Sequence, residues 1–167
     1  TVRIFERAGA TAIQLEDQTN PKRCGHLNGK ELVSTAEMVG KIHAAVDSRR
    51  SKETLIVART DAVAVEGFEP ALKRANAYRE AGADVLFVEA PKIGNDLGRI
   101  GGAFNGKIPV MANMVEGGAT PVLPAADLEA LGFSLVIFPG GIVRALARAA
   151  QEFYGTLARD GTSDAFR

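Results

Sequence analysis

Apolar and polar positions along the chain repeat one phrase: an amphipathic helix, a glycine, a short apolar run, then a polar residue. Phe5 and Ala8 precede Gly9, and Ile13-Gln14-Leu15-Glu16-Asp17 follows. Leu72, Ala75 and Tyr78 mark one helix face ahead of Gly82, and Val85-Leu86-Phe87-Val88-Glu89 comes next. Leu128 and Leu131 lead through Gly132 to Leu135-Val136-Ile137-Phe138. Leu55-Ile56-Val57-Ala58-Arg59 and Val110-Met111-Ala112-Asn113 complete the set, so strands are expected near positions 13, 55, 85, 109 and 135. The runs are continuously apolar, as in sheets covered on both faces.

The gaps between runs suit helical crossovers and are too long for hairpins. Ser34 and Glu37 form a capping box ahead of Met38, Ile42, Ala45 and Val46. Pro124 suits the first turn of a helix through Asp127 and Leu131. Ile142, Leu146, Ala149, Phe153 and Leu157 give the last helix an apolar stripe. Alternating strands and helices imply a parallel sheet. An open doubly wound sheet and a (β/α)8 barrel both fit the spacing. The doubly wound sheet usually carries a glycine-rich turn after its first strand, where this chain has Glu16-Asp17-Gln18.

The strand ends favour the barrel. Glu16-Asp17, Arg59 with Asp61, Glu89, Asn113 with Glu116, and Pro139-Gly140-Gly141 all close apolar runs. They share the C-terminal rim, where barrel enzymes build their sites. Carboxylates there need cations, donors or protons, and hard oxygen ligands on one rim suit Mg²⁺ or Mn²⁺. Arg59 offers a planar fork for a substrate carboxylate. Asp61 and Glu116 read as the structural members, with Asp61 able to cap the turn from Val63 to Glu66. Gly140-Gly141 reads as a strand-to-helix turn whose free N–H groups can receive an anion. Mutual pairing of the rim charges is the competing reading.

The loop Thr19-Asn20-Pro21-Lys22-Arg23-Cys24-Gly25-His26 sets a lone cysteine among positive charges. That setting favours thiolate and makes Cys24 an effective acid or base. A lone cysteine is more often core filler, but this one lies in a polar loop. His26 is either a catalytic partner or a residue that orders the loop. His43, on a helix, reads as surface.

The 167 residues carry 20 basic and 20 acidic side chains, a balance that gives no footprint for nucleic acid or an anionic membrane. No apolar run approaches the roughly 20 residues that span a bilayer. One cysteine permits no internal disulfide, so a reducing, cytoplasmic setting is expected. No stretch reads as a secretory leader. The chain opens without Met on a helix in progress, and a barrel needs about 250 residues. Residues 1–167 are therefore expected to be one partial barrel domain, a poor folder in isolation.

Glu16-Asp17-Gln18 with Lys22-Arg23-Cys24-Gly25-His26 resembles the signature of the isocitrate lyase and phosphoenolpyruvate mutase superfamily. Lys-Arg-Cys-Gly-His is typical of its 2-methylisocitrate lyase and 2,3-dimethylmalate lyase branches. Ala58-Arg59-Thr60-Asp61, Phe87-Val88-Glu89-Ala90, Ala112-Asn113-Met114, Glu116-Gly117-Gly118 and Thr120-Pro121 extend the likeness over nearly the whole chain. The resemblance implies a (β/α)8 barrel seen here from about its fourth strand to its eighth, without the earlier metal-anchoring strands or the helices after the barrel. It also implies Mg²⁺ and an α-oxo-acid enolate. Activity is expected to be cleavage of a malate- or isocitrate-type 2-hydroxy acid into pyruvate or glyoxylate and a second carboxylate.

Carried over motif by motif, Cys24 is the proton donor and Glu16 a metal ligand, through water. Arg59 grips the oxo-acid carboxylate, Gly25 and His26 bind carboxylate, and Glu89 and Asn113 face the second carboxylate or orient groups around it. If Cys24 is not the acid, Glu89 and His26 are the candidates. Arg144 occupies a position where methylisocitrate lyases have Arg. Val115 stands where the tricarboxylate lyases have a hydroxyl residue, which points to a short dicarboxylate such as a 2,3-dialkylmalate. Phosphonomutase or oxaloacetate decarboxylase chemistry is the alternative, which Cys24 disfavours. A non-catalytic piece unable to hold metal alone is a second. The last helix is expected to join copies of the chain into a homo-oligomer, a dimer of dimers.

Overall fold

The computed structural model describes residues 1–25, 27–92 and 95–167. A short helix α1 (Val2–Arg7) leads into strand β1 (Ala12–Glu16), and helix α2 (Thr35–Ser48) crosses to β2 (Leu55–Thr60). A single turn α3 (Ala62–Val65) and helix α4 (Phe68–Glu80) precede β3 (Val85–Val88). Helix α5 (Asp96–Phe104), β4 (Val110–Asn113), α6 (Ala125–Ala130), β5 (Leu135–Ile137) and α7 (Gly141–Asp160) follow, with a 3-10 turn over Asp164–Phe166.

The sheet order is β1-β2-β3-β4-β5, and every pair is parallel. Each strand lies beside its predecessor and no strand order reverses, so the doubly wound alternative falls: that fold requires a switch point. Unreversed parallel crossovers of one hand place every helix on the same face. That face is the outer one. Ala58, Leu86, Val88, Val110 and Ala112 point outward into a core shared with Met38, Ile42, Tyr78, Ile100 and Leu128 of the helices. The alternate residues Val57, Val85, Phe87 and Met111 form a separate inner cluster made of strand residues alone. Period-two alternation thus divides helix contacts from the barrel interior, and the five strands form an arc of a (β/α)8 barrel.

Local rules act where the sequence places them. Ser34 caps α2, its hydroxyl accepting from Glu37 N at 3.1 Å. Gly101 lets α5 meet the end of α6, since a Cβ there would lie 1.7 Å from the Leu131 carbonyl oxygen. The last helix differs from the others: Ile142, Val143, Leu146 and Tyr154 are 63–67% exposed, so these four lie largely uncovered by the described residues. Among the described residues, no helix is long and apolar enough to cross a membrane.

Candidate active site

The inward-facing ends of β1 to β4 each deliver one polar side chain to the C-terminal rim: Glu16, Arg59, Glu89 and Asn113. Alternation sends Glu16 inward and Asp17 outward. Arg59 stands across from Glu16 in the β1–β2 register. Its guanidinium lies over the Phe87 ring, 5.1 Å from the centroid, a cation–π contact one layer below the rim.

Asp61 grips Arg59 with both oxygens, accepting from Nε at 2.9 Å and Nη2 at 3.0 Å. Asp61 is at the N-cap position of α3 but makes no side-chain cap bond. The expectation that it caps the following turn is therefore corrected: the neighbouring cation outcompetes the weaker cap. The remaining edge of Arg59 faces Glu89, with Nη1 3.5 Å from Oε2, while Nε is 3.6 Å from Glu16 Oε2. Burial works against the charge on Arg59. Its bond to Asp61 and the charges of Glu89, Asp61 and Glu16 more than offset this, and its pKa is raised.

Glu89 is buried at 1% exposure, and both its oxygens accept from Asn113 Nδ2, at 3.2 and 3.3 Å. Its backbone N–H donates to Thr60 O at 3.0 Å. The next residue, Ala90, holds a left-handed φ of 53°. Such a conformation costs a non-glycine residue about 1–3 kcal/mol and tends to collect at functional sites. Asn113 Oδ1 is buried and accepts no hydrogen bond from the described residues. An unmet buried acceptor costs about 1–3 kcal/mol, and a substrate donor would relieve it.

Gly25 completes this set. It is buried, and a Cβ on it would lie 2.5 Å from both Arg59 Nη2 and Glu89 Cγ. Only glycine permits the loop to reach that depth. Beside it Cys24 is exposed with a free thiol. The cations expected to surround Cys24 are engaged elsewhere. Lys22 Nζ bonds Glu16 Oε2 at 2.9 Å, and the Arg23 guanidinium lies against Gly29. His26 lies outside the described residues.

Arg144 belongs to a neighbouring set. From the first turn of α7, its Nη2 donates to Glu116 O at 2.8 Å, and Nε is 4.0 Å from Glu116 Oε2. The Glu116 carboxylate lies over the start of α7, where a Cβ on Gly140 would meet Oε2 at 2.9 Å and one on Gly141 would meet Oε1 at 3.1 Å. The anion at the diglycine turn is thus a side chain of the protein itself.

For a metal, the donor to test is Glu16. Lys22 Nζ lies 2.9 Å from both Oε1 and Oε2, so a cation already sits where a metal ion would bind this carboxylate. With the exposed Lys22 swung aside, the Glu16 carboxylate fits a single hard-cation ligand, and Mg²⁺ commonly takes one or two carboxylates with water completing its shell. Among the described residues, no group of three or more His, Cys, Asp or Glu forms a complete cage.

Behind the rim lies a second network that the sequence reading missed. Asp17, fully buried, accepts from Thr60 Oγ1 at 2.7 Å, Asp61 N at 2.9 Å and Tyr78 OH at 2.8 Å. Arg74 Nη1 is 3.5 Å from Asp17, and Arg74 also forks onto Glu66 at 2.8 and 2.6 Å. Burial, and next the charge of Asp17, push the Tyr78 phenol well above its ordinary range. The signal for Asp17 was its place in the strand: a carboxylate aimed at the helix layer must find internal donors.

Comparison with known proteins agrees with this geometry. The family model described as phosphoenolpyruvate phosphomutase matches residues 1–158. The chain is 47% identical over 163 residues to a 2,3-dimethylmalate lyase of Eubacterium barkeri, covering 98% of this chain and 56% of that one. A 2-methylisocitrate lyase of Aeropyrum pernix is 48% identical over 162 residues, covering 97% and 51%. Among solved structures, a 2,3-dimethylmalate lyase described as a PEP mutase/isocitrate lyase superfamily member superposes with a TM-score of 0.88 at 37% identity, over 98% of this chain and 55% of that one. A phosphonopyruvate hydrolase in complex with oxalate and Mg²⁺ gives 0.81 at 34%, over 98% and 56%. The chain spans about half the length of the curated relatives it matches. A model match over nearly the whole chain, an unreversed parallel arc and a rim closed by Glu16, Arg59, Glu89 and Asn113 together show that the chain belongs to the phosphoenolpyruvate phosphomutase family.

Proposed function

We propose that the protein acts as a carbon–carbon lyase on a malate- or isocitrate-type 2-hydroxy acid, with a short 2,3-dialkylmalate-like dicarboxylate as the preferred substrate. The observation that carries this reading is the seat of Gly25 on Arg59 and Glu89. It sets the Cys24 segment over a buried carboxylate, a fixed guanidinium and the unmet acceptor of Asn113. The lyase names of the relatives support the same class, and Val115 supports the smaller substrate.

The reaction requires the substrate hydroxyl to lose its proton. Its oxygen becomes the carbonyl of an α-oxo acid as the adjacent C–C bond breaks. The bonding pair passes to the α-carbon of the departing carboxylate half, and a proton must arrive there. Cys24 Sγ–H is the donor, and the proton released by the hydroxyl restores the thiol. Arg59, fixed by Asp61, holds the carboxylate of the oxo-acid half. Glu89 and Asn113 orient the groups around the breaking bond. Arg144 and the Gly25–His26 segment meet the remaining carboxylate. Glu16 would hold a divalent cation, Mg²⁺ or Mn²⁺, whose contribution when bound is to polarise the oxygens that gather charge.

The test is a product assay on the intact protein with Mg²⁺, across a panel of substituted malates and citrates, with and without EDTA. The expected result is pyruvate or glyoxylate release, strongest from a dialkylmalate and abolished by chelation. Release of phosphonopyruvate chemistry products alone, or full activity after thorough chelation, would overturn the reading.

A further inference from the structure

Lys30 is 7% exposed, yet none of the ion pairs among the described residues includes it. Its Nζ instead donates to two main-chain oxygens, Gly25 O at 2.5 Å and Leu27 O at 2.8 Å. A buried ammonium without a carboxylate is costly, and aiming it at carbonyls makes sense only where those carbonyls must stay in place. Both belong to the turn that carries Cys24 and seats Gly25.

The base from which Lys30 reaches is firmly closed. Thr19 N donates to Glu31 O at 2.9 Å, and Val33 N to Asp17 O at 2.8 Å. The Gln18 amide clamps Arg23 at both ends, donating to its carbonyl and accepting from its N–H, each at 2.9 Å. Within the same turn Leu27 N donates to Cys24 O at 2.9 Å. Cys24 and Leu27 are exposed, while the buried Lys30 ammonium binds the Gly25 and Leu27 carbonyls from within, so the cation is placed to fix the position of both.

We propose that Lys30 is a positioning residue: its buried ammonium fixes the carbonyls of Gly25 and Leu27, and so holds the Cys24 thiol and the Gly25 seat over Arg59 and Glu89. The effect on turnover rests on the lyase reading. The effect on thiol chemistry rests on the geometry alone, and the two can fail separately.

The experiment uses Lys30→Met and Lys30→Ala in the intact protein. In Lys30→Met, the rate at which iodoacetamide alkylates the exposed Cys24 should change about threefold or more, because the thiol leaves the fixed setting that its reactivity depends on. Its turnover number should fall about 10–100-fold with KM changed far less, the signature of misplaced rather than lost groups. Lys30→Ala opens a space the shape of propylammonium beside a cavity of about 160 Å³ lined by Gln18, Arg23 and Glu31. Added propylammonium should restore its turnover saturably, and 1-propanol should not. Altered alkylation in Lys30→Met of a protein that shows no lyase turnover would sink the lyase reading and keep the positioning role. Wild-type alkylation and turnover in both variants would overturn the proposal. So would activity lost only in proportion to the unfolded fraction and not restored by propylammonium.

Discussion

Gly25 and Glu89 meet at van der Waals limit: a Cβ on the glycine would lie 2.5 Å from Glu89 Cγ and 2.8 Å from Cδ. The residues are far apart in sequence, yet a loop backbone rests on a buried carboxylate with no space between them. A side chain at position 25 must lift the loop or displace the acid. Because Cys24 and Leu27 beside it are exposed, lifting is the easier response. Gly25→Ala should therefore cut turnover about 10–100-fold while the melting temperature moves by only a few degrees. Full turnover in that variant, measured by product release, would show that the seat is incidental.

Arg59 should tolerate no conservative change. Its fork fills both oxygens of a fully buried Asp61, and a lysine ammonium cannot reproduce two parallel bonds. Arg59→Lys should lower kcat/KM by about 100-fold and destabilise by about 1–3 kcal/mol, the cost of a partly unmet buried acceptor. Steady-state kinetics with thermal melts check both. A variant with unchanged kcat/KM would remove Arg59 from the substrate carboxylate.

The Glu66–Arg74 fork gives the fold a defined acid limb. The Arg74 guanidinium holds the Glu66 carboxyl below its ordinary value of 4.5, against a smaller opposing effect of burial. A carboxyl lowered in the folded state contributes stability above its unfolded pKa and loses it as pH falls through the folded one. Melting temperatures of wild type and Glu66→Gln should differ by a constant amount above pH 4.5 and converge below it. A difference that does not change with pH would contradict the assignment.

The stripe on α7 should be covered by a second copy of the chain. Ile142, Val143 and Leu146 are exposed on one end of the helix, an apolar display that soluble monomers rarely leave open. Light scattering of the intact protein at micromolar concentration should give an oligomer, and Leu146→Asp should shift it toward smaller species. A monomeric wild type would rule this out.

Much of the architecture was legible because parallel strands advertise themselves. The apolar runs at Ile13, Leu55, Val85, Val110 and Leu135 became the five strands, and the polar residues closing them became the rim. Helix α5 was not legible: Gly98, Gly101 and Gly102 lower helix propensity, and only packing against Leu131 explains why one of them is required. Asp61 was read as a cap because caps are local, whereas its true partner, Arg59, was placed only by the register of two strands. Lys22 and Arg23 looked like the electrostatic setting of Cys24, since sequence gives adjacency but not direction. Nothing in the sequence around Lys30 marks it, because its partners are main-chain carbonyls. The Asp17 network joins positions 17, 60, 74 and 78; the outward aim of Asp17 signals that it needs donors, but separations of that length do not say which.

The central claim is that Cys24 donates the proton that completes cleavage, and one substitution tests it. Serine nearly preserves the shape of cysteine but is far too weak an acid to replace it. The thiol is exposed, so the fold has little to lose. Cys24→Ser in the intact protein should keep its melting temperature and lose about 10²–10⁴-fold in kcat, the range typical of removing a general acid. A near-normal kcat with a lowered melting temperature would contradict the account, showing Cys24 to be a packing residue and passing the acid's role to Glu89 or His26.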